Sequence, residues 1–128
     1  MKRITLLFAA AMLTLSAIAY AAPSAVTDLI VTTGRTTAGV AFTAPTGAVS
    51  YEVKYWSSTM TSAGWGGYFF ATSGSCTGGE QVCNTFSMPS CQSYYYSVRV
   101  YGGGWSDVSN QPYKTTKCPP NTTEVTCE

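Results

Sequence analysis

The chain has 128 residues, 45% of them hydrophobic and 10% charged, and it contains no histidine. The missing imidazole excludes Ser-His-Asp, Cys-His and histidine-metal sites, and a formal charge of +1 leaves no basic stripe to neutralise phosphates, which excludes nucleic acid as a partner. The six acidic residues are scattered over separate segments and build no carboxylate pair, so a non-enzymatic protein with no cofactor and no metal is expected.

Lys2 and Arg3 precede an apolar run, Ile4 to Ala19, and Ala19-Tyr20-Ala21 supplies a small-x-small cleavage site. Residues 1–21 read as a secretory signal peptide. The run is too short and too poorly flanked for a membrane span, and no second long apolar run follows, so no stable membrane insertion is expected after cleavage. Residues 22–128 are the size of one domain. They carry Arg35, Lys54, Arg99, Lys114 and Lys117 against Asp28, Glu52, Glu80, Asp107, Glu124 and Glu128, one negative charge in excess. The expected location is secreted, extracellular or periplasmic.

Val26, Leu29 and Val31 mark a first strand that ends at the Gly34 turn. Ala38, Val40 and Phe42 alternate with small or polar residues until Ala44-Pro45-Thr46-Gly47 stops the ladder. Tyr51, Val53 and Tyr55 alternate with Glu52, Lys54 and Trp56, so the third strand buries the first set and leaves Trp56 partly exposed. A fourth strand is expected over Trp65 to Thr72 and a fifth over Asn84 to Met88. Tyr94, Tyr96, Val98 and Val100 then form the buried face of a long strand. A glycine-rich turn, Gly102 to Gly104, leads through Trp105 to Asn110 and a last strand over Tyr113 to Thr116. No helical apolar period persists, and turn signals recur about every ten residues, which predicts an all-β, seven-stranded antiparallel β-sandwich of immunoglobulin-like type over residues 22–117. Residues 118–128 read as a cysteine-bearing tail.

Pro23 ahead of the first strand, Val40-Ala41-Phe42-Thr43-Ala44-Pro45, Tyr51-Glu52-Val53-Lys54-Tyr55 and the last two strands resemble a fibronectin type III domain from Pro23 to Thr116. Ser57 to Trp65 is similar to an insertion found in secreted bacterial members. The family usually has Trp where this chain has Phe42, which still fills the core. The resemblance implies a structural tyrosine corner, with Tyr94 hydrogen-bonded to backbone upstream of its strand, or Tyr96 if the alignment slips by two. It also implies a binding or adhesion module that recognises an extracellular protein or polysaccharide. The alternative is a structural subunit of an extracellular filament or surface assembly, joined through strand edges or the tail.

Strand direction brings the loop around Thr46-Gly47, the Ser73 to Val82 loop and Gly102 to Gly104 to one pole. Tyr68, Phe70, Gly103 and Trp105 are the candidate binding residues there, as aromatic anchors dominate such contacts. Five cysteines in a secreted chain favour disulfides. Cys76 and Cys83 share the connection between the fourth and fifth strands and are expected to pair. Cys91 and Cys118 share the opposite pole and form the second pair, with Cys127 as the alternative partner of Cys91. An unpaired Cys127 would offer self-association through a Cys127–Cys127 bond.

Overall fold

The computed structural model describes residues 21–60 and 62–127. The signal peptide reading falls on residues outside these, apart from Ala21. Seven strands form the sandwich: β1 (Ile30–Thr33), β2 (Thr37–Thr43), β3 (Ser50–Trp56), β4 (Phe69–Ser75), β5 (Gln81–Ser87), β6 (Ser93–Tyr101) and β7 (Tyr113–Thr115). One sheet has the order β1-β2-β5 and the other β4-β3-β6-β7, with every pairing antiparallel. The period-two patterns meet between the sheets: Val31, Ala38, Val40 and Phe42 from one face Tyr51, Val53, Tyr96, Val98 and Val100 from the other. Phe42 packs edge-on against Tyr51 at 5.3 Å, so phenyl fills the site without an indole.

Backbone parity follows from the bonds beside β6. Tyr96 donates its N–H to Pro112 O, while Val98 and Val100 donate theirs to the Ser109 and Ser106 hydroxyls. These residues therefore turn their backbone groups away from β3, so Glu52 and Ser50 bond to Arg99 and Tyr101. Tyr51 and Val53 consequently face β4, as does the Val49 carbonyl, which accepts Cys76 N–H at 3.0 Å. Across the ladder, Thr72 and Gly74 face β3, and Ser73 and Ser75 point their N–H and C=O outward. A register shift at Val53/Lys54 leaves Ala71 as a bulge.

The opposite side of the sandwich is closed. Asn110 clamps the residue before β1, accepting Leu29 N–H through Oδ1 and donating from Nδ2 to Leu29 O. Lower down, the Thr33 hydroxyl donates to Thr115 O.

The tail is an ordered strap rather than a free end. Val125 lies over Gly39, where a Cβ would strike it, and Arg35 N–H donates to Thr123 O at 2.8 Å. Glu124 accepts from Thr36 N–H and from the Thr36 and Thr37 hydroxyls. A disulfide joins Cys127 to Cys83 on the outward face of β5, and a second joins Cys91 to Cys118.

The cysteine expectation is corrected here. Cys83 pairs with Cys127, not with Cys76, because Val82, Asn84 and Phe86 take the inward positions of β5 and turn Cys83 to the outer face. Cys76 directly follows β4 of the other sheet, packs against the core and is the free cysteine. Self-association through Cys127 loses its thiol. Burial also pushes the Cys76 thiol above its usual range, so it stays protonated at neutral pH.

Two aromatic expectations also change. Trp56 is 2% exposed, because Tyr68 stacks on it at 4.0 Å and Tyr95 flanks it at 5.7 Å. The Tyr94 ring meets Tyr55 edge-on at 5.0 Å, but its hydroxyl forms no corner bond among the described residues. The Tyr96 hydroxyl is buried without a partner among the described residues, so neither residue builds the corner there. Trp65 begins a 3₁₀ turn, Trp65–Gly67, and precedes the fourth strand instead of opening it.

Candidate functional site

The β2–β3 loop, the β4–β5 loop and the glycine turn after β6 meet at one pole. Val49 N–H donates to Tyr101 O at 2.8 Å, and Gly79 N–H donates to Ala44 O at 2.7 Å. Gly102 is required by contact: a Cβ there would collide with the Gly47 carbonyl. Gly103 is required by conformation, since its φ is 82°. The backbones of Gly47, Gly102 and Gly103, together with Val49, line an apolar hollow, which measures about 350 Å³ with Ala21, the last residue of the expected signal peptide, still in place as its remaining wall. Its surroundings include Val49, 57% exposed, and Tyr101, which meets Trp105 edge-on at 5.2 Å.

Trp105 is also the end of a ladder across the outer face of the β4-β3-β6-β7 sheet. The Arg99 guanidinium lies 4.0 Å from the Trp105 ring centroid and 5.0 Å from that of Trp65, and Lys54 Nζ lies 5.3 Å from Trp65 on the same face. Glu52 fixes the arrangement by accepting Trp65 Nε1–H at 3.0 Å and Arg99 Nη2–H at 3.3 Å. Cation–π contact occupies one aromatic face of Trp105. The residue remains 42% exposed.

The four candidate binding residues do not converge. Gly103 and Trp105 lie at the pole, whereas Phe70 opposes Lys54, and Tyr68 stacks on Trp56 at the far end of β3. Phe70 and Ser75 are separated by five strand steps, about 17 Å. Val49 and Tyr101 take the places beside the pole that the sequence reading had given to Tyr68 and Phe70. Alternation alone marks neither, as each flanks a turn where period-two reading stops.

Chemically, the pole offers apolar surface and glycine backbone. No group of three or more Cys, Asp or Glu stands ready for a metal among the described residues. Glu52 is engaged by Arg99, and Asp28 is held below its ordinary carboxylate range by the Thr43 backbone and hydroxyl.

No protein-family model matches the sequence, and no curated protein does. The structure resembles the FN1-FN3 domains of chicken CNTN1, at 17% identity and TM-score 0.59, over 76% of this chain and 32% of that one. It also resembles the third fibronectin III domain of human KIAA0343 protein, at 18% identity and TM-score 0.53, over 79% and 90%. The fold is fibronectin type III. A third similar structure is the Clostridium perfringens spore cortex lytic enzyme SleM, at 15% identity and TM-score 0.52, over 74% of this chain and 29% of that one. The chain thus spans about a third of the CNTN1 and SleM chains and nine-tenths of the human domain. In this fibronectin type III sandwich the candidate pole is the end formed by the β2–β3 and β6–β7 connections, and the aromatic ladder runs from that pole along the sheet face.

Proposed function

We propose that this fibronectin type III domain is a non-catalytic extracellular interaction module that receives an apolar side chain of a protein partner in the hollow at its pole. The hollow carries the reading: its glycine floor admits a side chain without a steric barrier, and Val49, Tyr101 and Trp105 add apolar surface around it. Binding energy concentrates where such anchors fill pockets. Two disulfides fit an oxidising compartment, and among the described residues no helix is long and apolar enough to cross a membrane. A second reading rests on Trp105, whose exposed surface offers a stacking platform for a sugar ring.

Panning a random peptide library against the protein, then measuring the affinity of each recovered peptide for the parent and for Val49→Asp, separates the readings. Expected are peptides with a shared apolar anchor that bind the parent at least about tenfold more tightly than the variant, a difference of about 1.4 kcal/mol. Phe70→Ser, at the far end, leaves them unaffected. Peptides indifferent to Val49→Asp would contradict the pocket, and binding confined to a glycan array and lost in Trp105→Ala would support the sugar reading.

A further inference from the structure

We propose that β4 is a docking edge for a second copy of this chain, joined antiparallel about a two-fold axis at Gly74. The edge is chemically open: Ser73 and Ser75 are exposed, and their backbone N–H and C=O groups point away from β3 with no partner among the described residues. An uncovered ladder of this kind is a template for another strand. Proteins commonly guard such edges with lysine or proline. Here no Asp, Glu, Lys, Arg or Pro occurs anywhere from Tyr55 to Gly79.

That composition selects the occupant. An uncharged strand provides nothing to steer a charged partner, yet facing its own copy it brings no like charges together. Centring the pair on Gly74 opposes Ser73 of one copy to Ser75 of the other, and the symmetry mate repeats the match. Outward-facing groups then meet outward-facing groups, as the antiparallel ladder requires. The Ala71 bulge ends regular pairing toward Phe69 and Phe70, which are 47% and 57% exposed and add apolar surface flanking the junction. Because both copies use the same edge, the contact is isologous and closes at a dimer. It joins two four-stranded sheets into one and does not propagate as a filament. The junction abuts the β4–β5 loop at the pole but uses none of Gly47, Val49, Gly102 and Gly103, which line the hollow.

A junction of this length is small, so it forms at high concentration. Sedimentation equilibrium of the secreted protein up to about 1 mM tests it. Expected is a monomer–dimer equilibrium unchanged by reductant. Ser73→Pro removes an outward N–H that β3 does not use, and should be monomeric throughout with its Tm retained. Independently of that variant, Ser73→Lys/Ser75→Lys and Ser73→Glu/Ser75→Glu should each be monomeric alone and form a heterodimer when mixed. A parent that stays monomeric at 1 mM, a dimer that persists in Ser73→Pro, a dimer dissolved by reductant, or charged variants that fail to combine on mixing would each overturn the proposal.

Discussion

Glu124 is exposed, yet its carboxyl is pulled down from 4.5 to about 2, chiefly by the Thr36 and Thr37 hydroxyls and the Thr36 N–H. Hydrogen bonds donated to the ionised form favour that form. The folded value lies below the unfolded one, so the stabilising contribution is complete above about pH 4.5 and is lost as pH falls toward 2. Screening by water keeps the effect modest at this exposed position. Glu124→Gln cannot titrate there. Its Tm should therefore lie below the parent's at neutral pH, and the gap should close between about pH 4.5 and 2. A gap that persists unchanged at pH 2 would assign the loss to packing of the strap instead of to the carboxylate.

At the scale of elements, the connection after β6 behaves as a strand made partly of side chains. Ser106 and Ser109 are buried, and their hydroxyls accept Val100 N–H and Val98 N–H, both at 3.0 Å. Each hydroxyl then donates onward, Ser106 to Asp107 O and Ser109 to Asn110 O. Replacing either serine with alanine orphans a buried N–H, at a cost of about 1–3 kcal/mol. Ser93→Ala, whose hydroxyl meets Thr115 at the surface, should fall within about 0.5 kcal/mol of the parent in the same urea titration. Equal effects for Ser93 and Ser109 would show that the buried hydroxyls are not acting as acceptors. Period-two alternation made β2, β3 and β6 legible because backbone partners backbone there. Trp105 to Pro112 shows no alternation, as hydroxyls and the Asn110 amide replace part of its backbone ladder. Cys83 was misread for a related reason: a fifth strand begun at Asn84 leaves Cys83 in a loop, whereas starting it at Gln81 puts Val82, Asn84 and Phe86 inward and Cys83 outward. Trp56 was correctly placed on the outer face by parity, but parity carries no information about a residue twelve positions later, Tyr68, that covers it. The three loops of the pole follow from strand direction alone, while the scatter of the aromatic candidates depends on the β4 register.

For the molecule as a whole, the two disulfides act at different places. Cys91–Cys118 closes the lower end of β6 and β7, beside the Thr116 hydroxyl that donates to Pro89 O. Cys83–Cys127 spans 44 residues and fastens the strap over the β1–β2 turn. The chain-entropy relation assigns a loop of that length about 4 kcal/mol. The strap multiplies its consequence, because Glu124, Val125 and Thr123 hold their places on Thr36, Gly39 and Arg35 only while the tail is positioned. Cys83→Ala/Cys127→Ala should therefore lose stability of that order and also lose the acid-dependent window of Glu124, since a freed carboxyl returns to its ordinary range. Amide exchange should accelerate at Arg35 and Thr36, whose N–H groups bond to the tail, and stay unchanged at Val98 and Val100 under conditions where the domain remains folded. Retention of the window between pH 4.5 and 2 in that double variant would mean that Glu124 and Val125 hold the strap without the covalent bolt. The disulfide would then act only by restricting the unfolded chain, and the ordered tail would be a property of the β2 surface itself.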